Sequence, residues 1–269
     1  MLSLHQNKKI SSPVITTLLV GLLSTLAFGV TPAQRGLEIA IEVDNRDNGF
    51  NDNTSTLEMV LGNKYGESTT RKMRTKTLEQ NDDGDKSQII FDNPRDVKGT
   101  SFLSFTHKKG SDDQWLYLPG LKRVKRISSS NKSGPFMGSE FAFEDISSQE
   151  VEKYTYRYLK DEKLDGRDTY VIERDPVDPK SGYTKQNVWI DKERYIALKI
   201  DFYDRKSSLL KTLTIGEYNQ YLDKFWRANK WEMVNHQTGK TTLLSYSNWN
   251  FRTGLKDKNF TKNSLKRSR

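Results

Sequence analysis

The sequence predicts a mainly β protein: many antiparallel strands wound into one large curved sheet or barrel. Three observations carry this. From Thr56 onward, apolar residues recur with a period of two. Turn dipeptides split these runs at short spacing: Asp165-Gly166, Asp175-Pro176, Asp178-Pro179 and Thr238-Gly239. Few stretches beyond the N-terminal region carry a helical period. An integral outer-membrane barrel is the competing picture. It needs a lipid-facing apolar band about 25 Å tall. Here the alternate faces carry many charges and mean hydropathy is −0.80, so a soluble barrel or half-barrel fits better.

Residues 1–33 read as a signal peptide. Lys8 and Lys9 make a positive start, Val14 to Val30 is an apolar run, and Thr31-Pro32-Ala33 offers small residues for cleavage after Ala33. An uncleaved anchor is the alternative; in both readings the remainder is exported. Residues 34–269 then form one domain. There is no cysteine, so no disulfide and no acylated N-terminal Cys is expected. A chain of this length buries roughly 70–75% of its unfolded surface and can rely on its core. Losing Lys8 and Lys9, with no acid in that segment, lowers the formal charge from +9 to +7. A basic exported protein is drawn to anionic surfaces such as phospholipid headgroups.

In chain order, Gln34 to Asp44 suits a short helix, with Leu37, Ala40 and Ile41 on one face and Glu38 and Glu42 opposite. Asn45 to Asn53 is turn chemistry. Counted as a calcium loop from Asp44, its third and twelfth positions are Arg46 and Ser55, so the required carboxylates are missing. Leu57, Met59 and Leu61 open the strands, and Asn81 to Asp85 reads as a hairpin turn. Phe102 and Ser104 oppose Leu103 and Phe105; Trp115 and Tyr117 oppose Leu116 and Leu118. Tyr154, Tyr156 and Tyr158 share a face. Val188 with Ile190, then Ile196 to Phe202, then Leu209 to Ile215 continue the alternation. Leu243, Tyr246 and Trp249 mark a last strand region.

No catalytic motif stands out. His107 and His236 are far apart in sequence, and neither lies in an HExxH pattern. There is no GxSxG elbow, phosphate-cradling loop or dinucleotide fingerprint. Asp112-Asp113, Glu144-Asp145 and Asp201 with Asp204 could in principle serve as acid and base. Acids beside turns and on strand faces are more often solvated or paired. The expectation is no catalytic residue, no metal and no cofactor.

The stretch "GPFMGSEFAFED", Gly134 to Asp145, places large apolar groups in a segment whose glycines indicate a loop. With "DDQWLYLPGLKRVKRI" before it, this region resembles the LolA/LolB-like superfamily of outer-membrane lipoprotein-sorting proteins. "FDNPRDVKGTSFL" (91–103), "NVWIDKERYIALKIDFYD" (187–204) and "NFTKNSL" (259–265) extend the resemblance over most of the chain. The resemblance implies a convex, incomplete antiparallel β-barrel with a helical or loop lid over an apolar cavity. It also implies a periplasmic carrier of lipid or lipoprotein acyl chains toward the outer membrane, associated with a transporter of the resistance-nodulation-division (RND) type. A non-catalytic accessory subunit of an export complex is the alternative, and a carboxylate-based hydrolase comes last.

On this reading Trp115, Tyr117, Leu118, Phe136, Met137, Phe141 and Trp189 line the cavity. Phe136 and Met137 reach the ligand, while Phe141 and Phe143 anchor the segment. Gly134 to Gly138 forms a mobile lid rim, and Glu144 and Asp145 end it at the surface. Lys122, Arg123, Lys125 and Arg126 form a basic patch for an acidic partner or anionic headgroups, or else an ordinary solvated strand face.

Overall fold

A computed structural model describes residues 29–267. Helix α1 (Pro32–Asp47) starts on a capping box. The Thr31 hydroxyl accepts the Gln34 N–H, and the Gln34 side chain accepts the Thr31 N–H. Pro32 occupies the first turn, where its missing N–H costs nothing. The expected boundary at residue 34 falls inside this turn. Most of the segment read as a signal peptide, residues 1–28, lies outside the described residues. No described helix is long and apolar enough to cross a membrane.

Thirteen strands follow, all paired antiparallel. They are β1 (Asp52–Gly62), β2 (Ser68–Leu78), β3 (Lys86–Asn93), β4 (Ser101–Phe105), β5 (Asp113–Leu118) and β6 (Arg123–Ile127). After a long connection come β7 (Tyr154–Leu164), β8 (Arg167–Pro176), β9 (Tyr183–Asp191), β10 (Ala197–Asp204), β11 (Leu209–Tyr221), β12 (Phe225–Asn235) and β13 (Thr241–Phe251). The spatial order is β6-β5-β4-β3-β2-β1-β13-β12-β11-β10-β9-β8-β7. Two meanders, β1–β6 and β7–β13, are therefore joined by one long-range pairing, β1 with β13. The sheet does not close: β6 and β7 remain its edges, and residues 128–153 run between them. The fold is an incomplete barrel.

Alternation sorts the side chains onto two faces. The concave face holds the main core: Leu57, Met59, Met73, Phe91, Phe102, Leu116, Ile172, Val188, Ile200, Phe202, Leu213, Met233 and Leu244. A smaller cluster lies on the convex face, where Leu103 and Trp115 are covered by Phe260 and by Leu265 of helix α2 (Lys262–Arg267). The face of α1 differs from expectation. Gly36, Ile39 and Ala40 are buried, while Leu37 and Ile41 are 41% and 42% exposed. The physical reason is Gly36: a Cβ there would sit 2.8 Å from the backbone of Arg157 and Tyr158, so only glycine lets α1 approach β7 this closely.

Candidate functional site

The chain between the two edge strands forms a strap over the concave face. Pro135 and Ala142 make an isolated antiparallel bridge, and the Phe136 N–H donates to the Phe141 carbonyl at 2.7 Å. Met137 (φ 51°) and Gly138 (φ 79°) turn left-handed between them. This tight loop pushes Phe136 into the core. Its ring lies 5.2 Å from Phe102, 5.5 Å from Phe143 and 6.1 Å from Phe91, and it is fully buried. Burying such a side chain contributes roughly 1.5–3 kcal/mol.

Polar contacts then pin the strap to strands on both sides of the sheet. Arg71 of β2 donates to the Met137 carbonyl. The Glu140 N–H donates to the Thr242 hydroxyl of β13 at 2.9 Å, and Asn235 of β12 donates to the Glu140 carboxylate at 2.6 Å. Lys211 of β11 donates to the Glu140 carbonyl and to the Asp145 carboxylate, both at 2.7 Å. The side chains of this ion pair are only 4% and 6% exposed. The Tyr183 hydroxyl also donates to Asp145 at 2.9 Å. Burial, and next the Asp145 charge, push the Tyr183 phenol well above its ordinary value. Glu144 accepts the Gly182 N–H at 2.8 Å and the Ser181 hydroxyl at 2.7 Å, yet burial still pushes its carboxyl upward. Gln114 of β5 donates to the Phe143 carbonyl at 3.0 Å.

Two expectations are corrected here. The Gly134–Gly138 segment is a pinned strap rather than a loose lid rim. Glu144 and Asp145 do not end it at the surface; they are drawn inward by Gly182, Tyr183 and Lys211. Phe136 and Phe141 are 0% and 1% exposed and fill the concave core, where no open surface remains on either ring. Met137 is half-buried against the same core.

Helix α1 is the second cover of the concave face, and it is held differently. Ile39, Ala40 and the half-buried Val43 supply its apolar contacts. Its polar ties lie at both ends: Arg35 sits 5.5 Å from the Tyr170 ring, Arg46 donates to the Glu193 carbonyl at 2.7 Å and stacks 4.2 Å from the Tyr195 ring, and Asp47 pairs with Arg227. Arg46 and Asp47 are half-exposed, at 45% and 53%.

Aromatic side chains also mark the concave face. Trp231 on β12 and Tyr246 on β13 pack against the core with ring centroids 6.0 Å apart. Tyr246 stacks on Trp249 at 5.3 Å, Trp249 on Phe251 at 6.3 Å, and Phe251 on Phe225 at 6.2 Å. A register shift in the β1–β13 pairing, with Asn248 at φ 54°, brings residue 249 onto the face of residue 246. Strand periodicity marks Tyr246 and Trp249 as strand residues and misses this ladder, because the bulge breaks the period of two.

Other expected cavity residues point elsewhere. Trp115 and Tyr117 lie on the convex face with Leu103, Phe260 and Leu265. Alternation decides this: Leu116 and Leu118 take the concave side. Trp189 likewise opposes the concave Val188 and Ile190; its indole donates to Glu162 at 3.1 Å, and Lys199 caps its ring at 4.1 Å. The basic run is also divided. Arg123 and Lys125 pair with Leu118 and Leu116, Arg126 pairs with Trp115, and Lys122 sits in a left-handed turn at φ 50°. Strand alternation sends Arg126 to the opposite side of β6 from Arg123 and Lys125.

The acids weighed for catalysis have structural partners. Asp112 pairs with Lys153, and Asp113 with Arg126 and His107. Asp201 accepts from Thr212 at 2.7 Å, and Asp204 accepts the N–H groups of Lys206 and Ser208 in a turn. His107 contacts Asp83 at 2.6 Å; the contact raises the imidazole pKa and holds the Asp83 carboxyl down at about 2. His236 contacts the Thr212 hydroxyl at 2.8 Å.

Two surface pockets lie outside the concave core, and the second is predominantly polar. One, of about 230 Å³, lies beside Glu144 and is lined by Lys108, Asp112, Lys132, Lys153 and Asp178 among others. The other, of about 400 Å³, lies on the convex face against the C-terminal segment.

Comparison with known proteins adds the family. A family model described as "Uncharacterized protein" matches residues 83–267. A solved structure described as a putative outer membrane lipoprotein-sorting protein domain from Vibrio parahaemolyticus is 60% identical. It aligns over 87% of this chain and 99% of its own, with a TM-score of 0.86. The chain belongs to the family of that putative outer membrane lipoprotein-sorting protein domain. A DUF1329 family protein from Desulfovibrio piger is 30% identical over 87% of this chain and 99% of its own, with a TM-score of 0.83. A LolA superfamily protein from Nitrosomonas europaea shares the fold at 21% identity and a TM-score of 0.69, with the same coverage of both chains. No curated protein matches.

Proposed function

We propose that this chain is a periplasmic carrier that holds an acyl chain of a lipid or lipoprotein on the concave face, beneath α1, and moves it toward the outer membrane. The observation that carries the reading is the unequal covering of one apolar face. The strap is tied by a buried ion pair and its polar neighbours, while α1 rests on a few apolar contacts and one ion pair whose Asp47 is half-exposed. Displacing α1 uncovers the core residues against which Ile39, Ala40 and Val43 pack, without breaking the buried network. Each CH₂ that leaves water for such a face is stabilised by roughly 0.8 kcal/mol. Membership of a lipoprotein-sorting superfamily supports the same reading. The family resemblance adds an RND-type transporter as the partner class, which pull-down from inner membranes would test.

The carrier reading is tested by titrating the purified protein with a fatty acid brominated along its chain and following tryptophan emission. Trp231 and Trp249 should be quenched, and Trp231→Phe with Trp249→Phe should remove most of the signal. Tyr246→Ala should weaken uptake several-fold. Quenching that persists in the double variant would place the chain elsewhere. No quenching and no lipid in native mass spectra would leave the accessory-subunit reading.

A further inference from the structure

The convex-face pocket is not explained by acyl-chain carriage. It lies on the opposite side of the sheet from α1 and the strap. Its floor is β2 and β3, through Arg74, Lys76, Gln88 and Ile90, and its wall is the C-terminal segment, through Lys258, Asn259, Thr261, Asn263, Ser264 and Arg267. The wall is built into the fold. Leu265 is fully buried against Leu103 and Trp115, its carbonyl accepts the Ser101 hydroxyl at 2.9 Å, and Lys86 ties Asp257 at 2.6 Å.

The charges of this pocket are one-sided. Four cationic side chains line it, and no acid does. Arg74 is bound bidentately by Asp92, with both contacts at 2.8 Å. Lys76, Lys258 and Arg267 have no ion-pair partner among the described residues. Asn259 and Asn263 amides and the Thr261 hydroxyl are further lining groups able to donate. Lys76 sits next to Arg74 across a partly buried strand face, which holds its ammonium below the ordinary lysine value through burial first and Arg74 second. Like charges gathered among neutral donors suit an oxyanion carrying two or more negative charges better than a single carboxylate.

We infer that this pocket binds a phosphate-bearing anion, held by Lys76, Lys258 and Arg267. The phosphate has two sources, an anionic lipid headgroup at a membrane surface or a soluble phosphate compound, and the recognition chemistry is common to both. The inference does not depend on the concave face carrying an acyl chain.

Two probes separate the sources: inorganic pyrophosphate by titration calorimetry, and vesicles of phosphatidylcholine with or without phosphatidylglycerol by co-sedimentation. The full exported domain is used, with Lys76→Glu/Lys258→Glu as the test and Lys122→Glu/Lys125→Glu as a charge-matched control. Saturable pyrophosphate binding, lost in the test variant, assigns a soluble ligand. Vesicle binding that needs phosphatidylglycerol assigns a headgroup; the test variant should then fall tenfold or more, at about a factor of five per basic residue near an anionic surface. Lys76→Met/Lys258→Met keeps the fold check independent of introduced acids. The pocket is rejected if neither probe binds, or if the control variant weakens binding as much as the test variant, since attraction would then follow net charge alone.

Discussion

The two covers of the concave face are built from opposite materials. The strap buries Phe136 and Phe141 and is then held through its backbone and its Glu140 and Asp145 carboxylates by an inward lysine, a tyrosine hydroxyl and amides from β5 and β12. Helix α1 buries a glycine, an alanine and one isoleucine, and the one ion pair that ties it to the sheet joins a half-exposed Asp47 to a largely buried Arg227. A desolvated ion pair is costly to break, whereas an exposed pair contributes about 0–1 kcal/mol. The strap therefore behaves as part of the sheet, and α1 is the element positioned to move. The glycine-rich loop is the fixed cover, and the regular helix the adjustable one.

The most severe way to break this contrast is Lys211→Met. It leaves Asp145 buried without its partner and should cost about 3–5 kcal/mol in chemical denaturation. Replacing Asp145 by leucine as well should recover part of the loss. A cost below about 1 kcal/mol would make the strap as loosely held as α1.

Next in size is Gly36→Val. The added carbons collide with the backbone of Arg157 and Tyr158, and overpacking of this kind costs about 1–3 kcal/mol. Amide exchange should accelerate along α1 while Phe136 and Phe141 keep their protection. Equal loss of protection in both covers would show that they open together.

A third test uses pH. Asp85, in the β2–β3 turn, is pushed up to about 7, chiefly by burial, with Glu150 and Glu79 adding to it. Its folded value lies above its unfolded one. Its contribution to stability is therefore fully present below about pH 4 and is lost as pH rises through about 7. Asp85→Asn keeps an acceptor for the Gln80 N–H and should raise stability above pH 7 by about 1–2 kcal/mol, flattening the melting curve against pH. An unchanged pH profile would remove Asp85 from the account.

The mildest change is Thr31→Ala. Losing the cap should cost about 1 kcal/mol, seen as faster exchange in the first turn of α1 only. Spread of this effect to the strap would again join the two covers.

Much of the fold is legible in the sequence because strand alternation is local. The period of two alone sorts Leu57 and Met59, Phe102 against Leu103, and Trp115 against Leu116 into two faces. Which face is the inside is not legible at Trp115, since both faces of β5 are apolar and the Phe260 and Leu265 that cover Trp115 are 145 and 150 positions away. Trp189 misleads for a related reason: its size suggests the cavity, while Glu162 and Lys199 hold it on the convex side. The ladder from Tyr246 to Phe251 is hidden by a bulge at Asn248.

By itself the sequence determined a β-rich chain, its strand periods, the turns between them, and the superfamily to which its motif blocks belong. These follow from residues a few positions apart, where backbone geometry acts directly. Only the tertiary structure decided that β1 pairs with β13, that Lys211 reaches across to Asp145, and that α1 settles on Gly36 beside β7. Each of these joins residues tens to hundreds of positions apart. Their energies come from desolvation and close packing, which exist only once the sheet has curved.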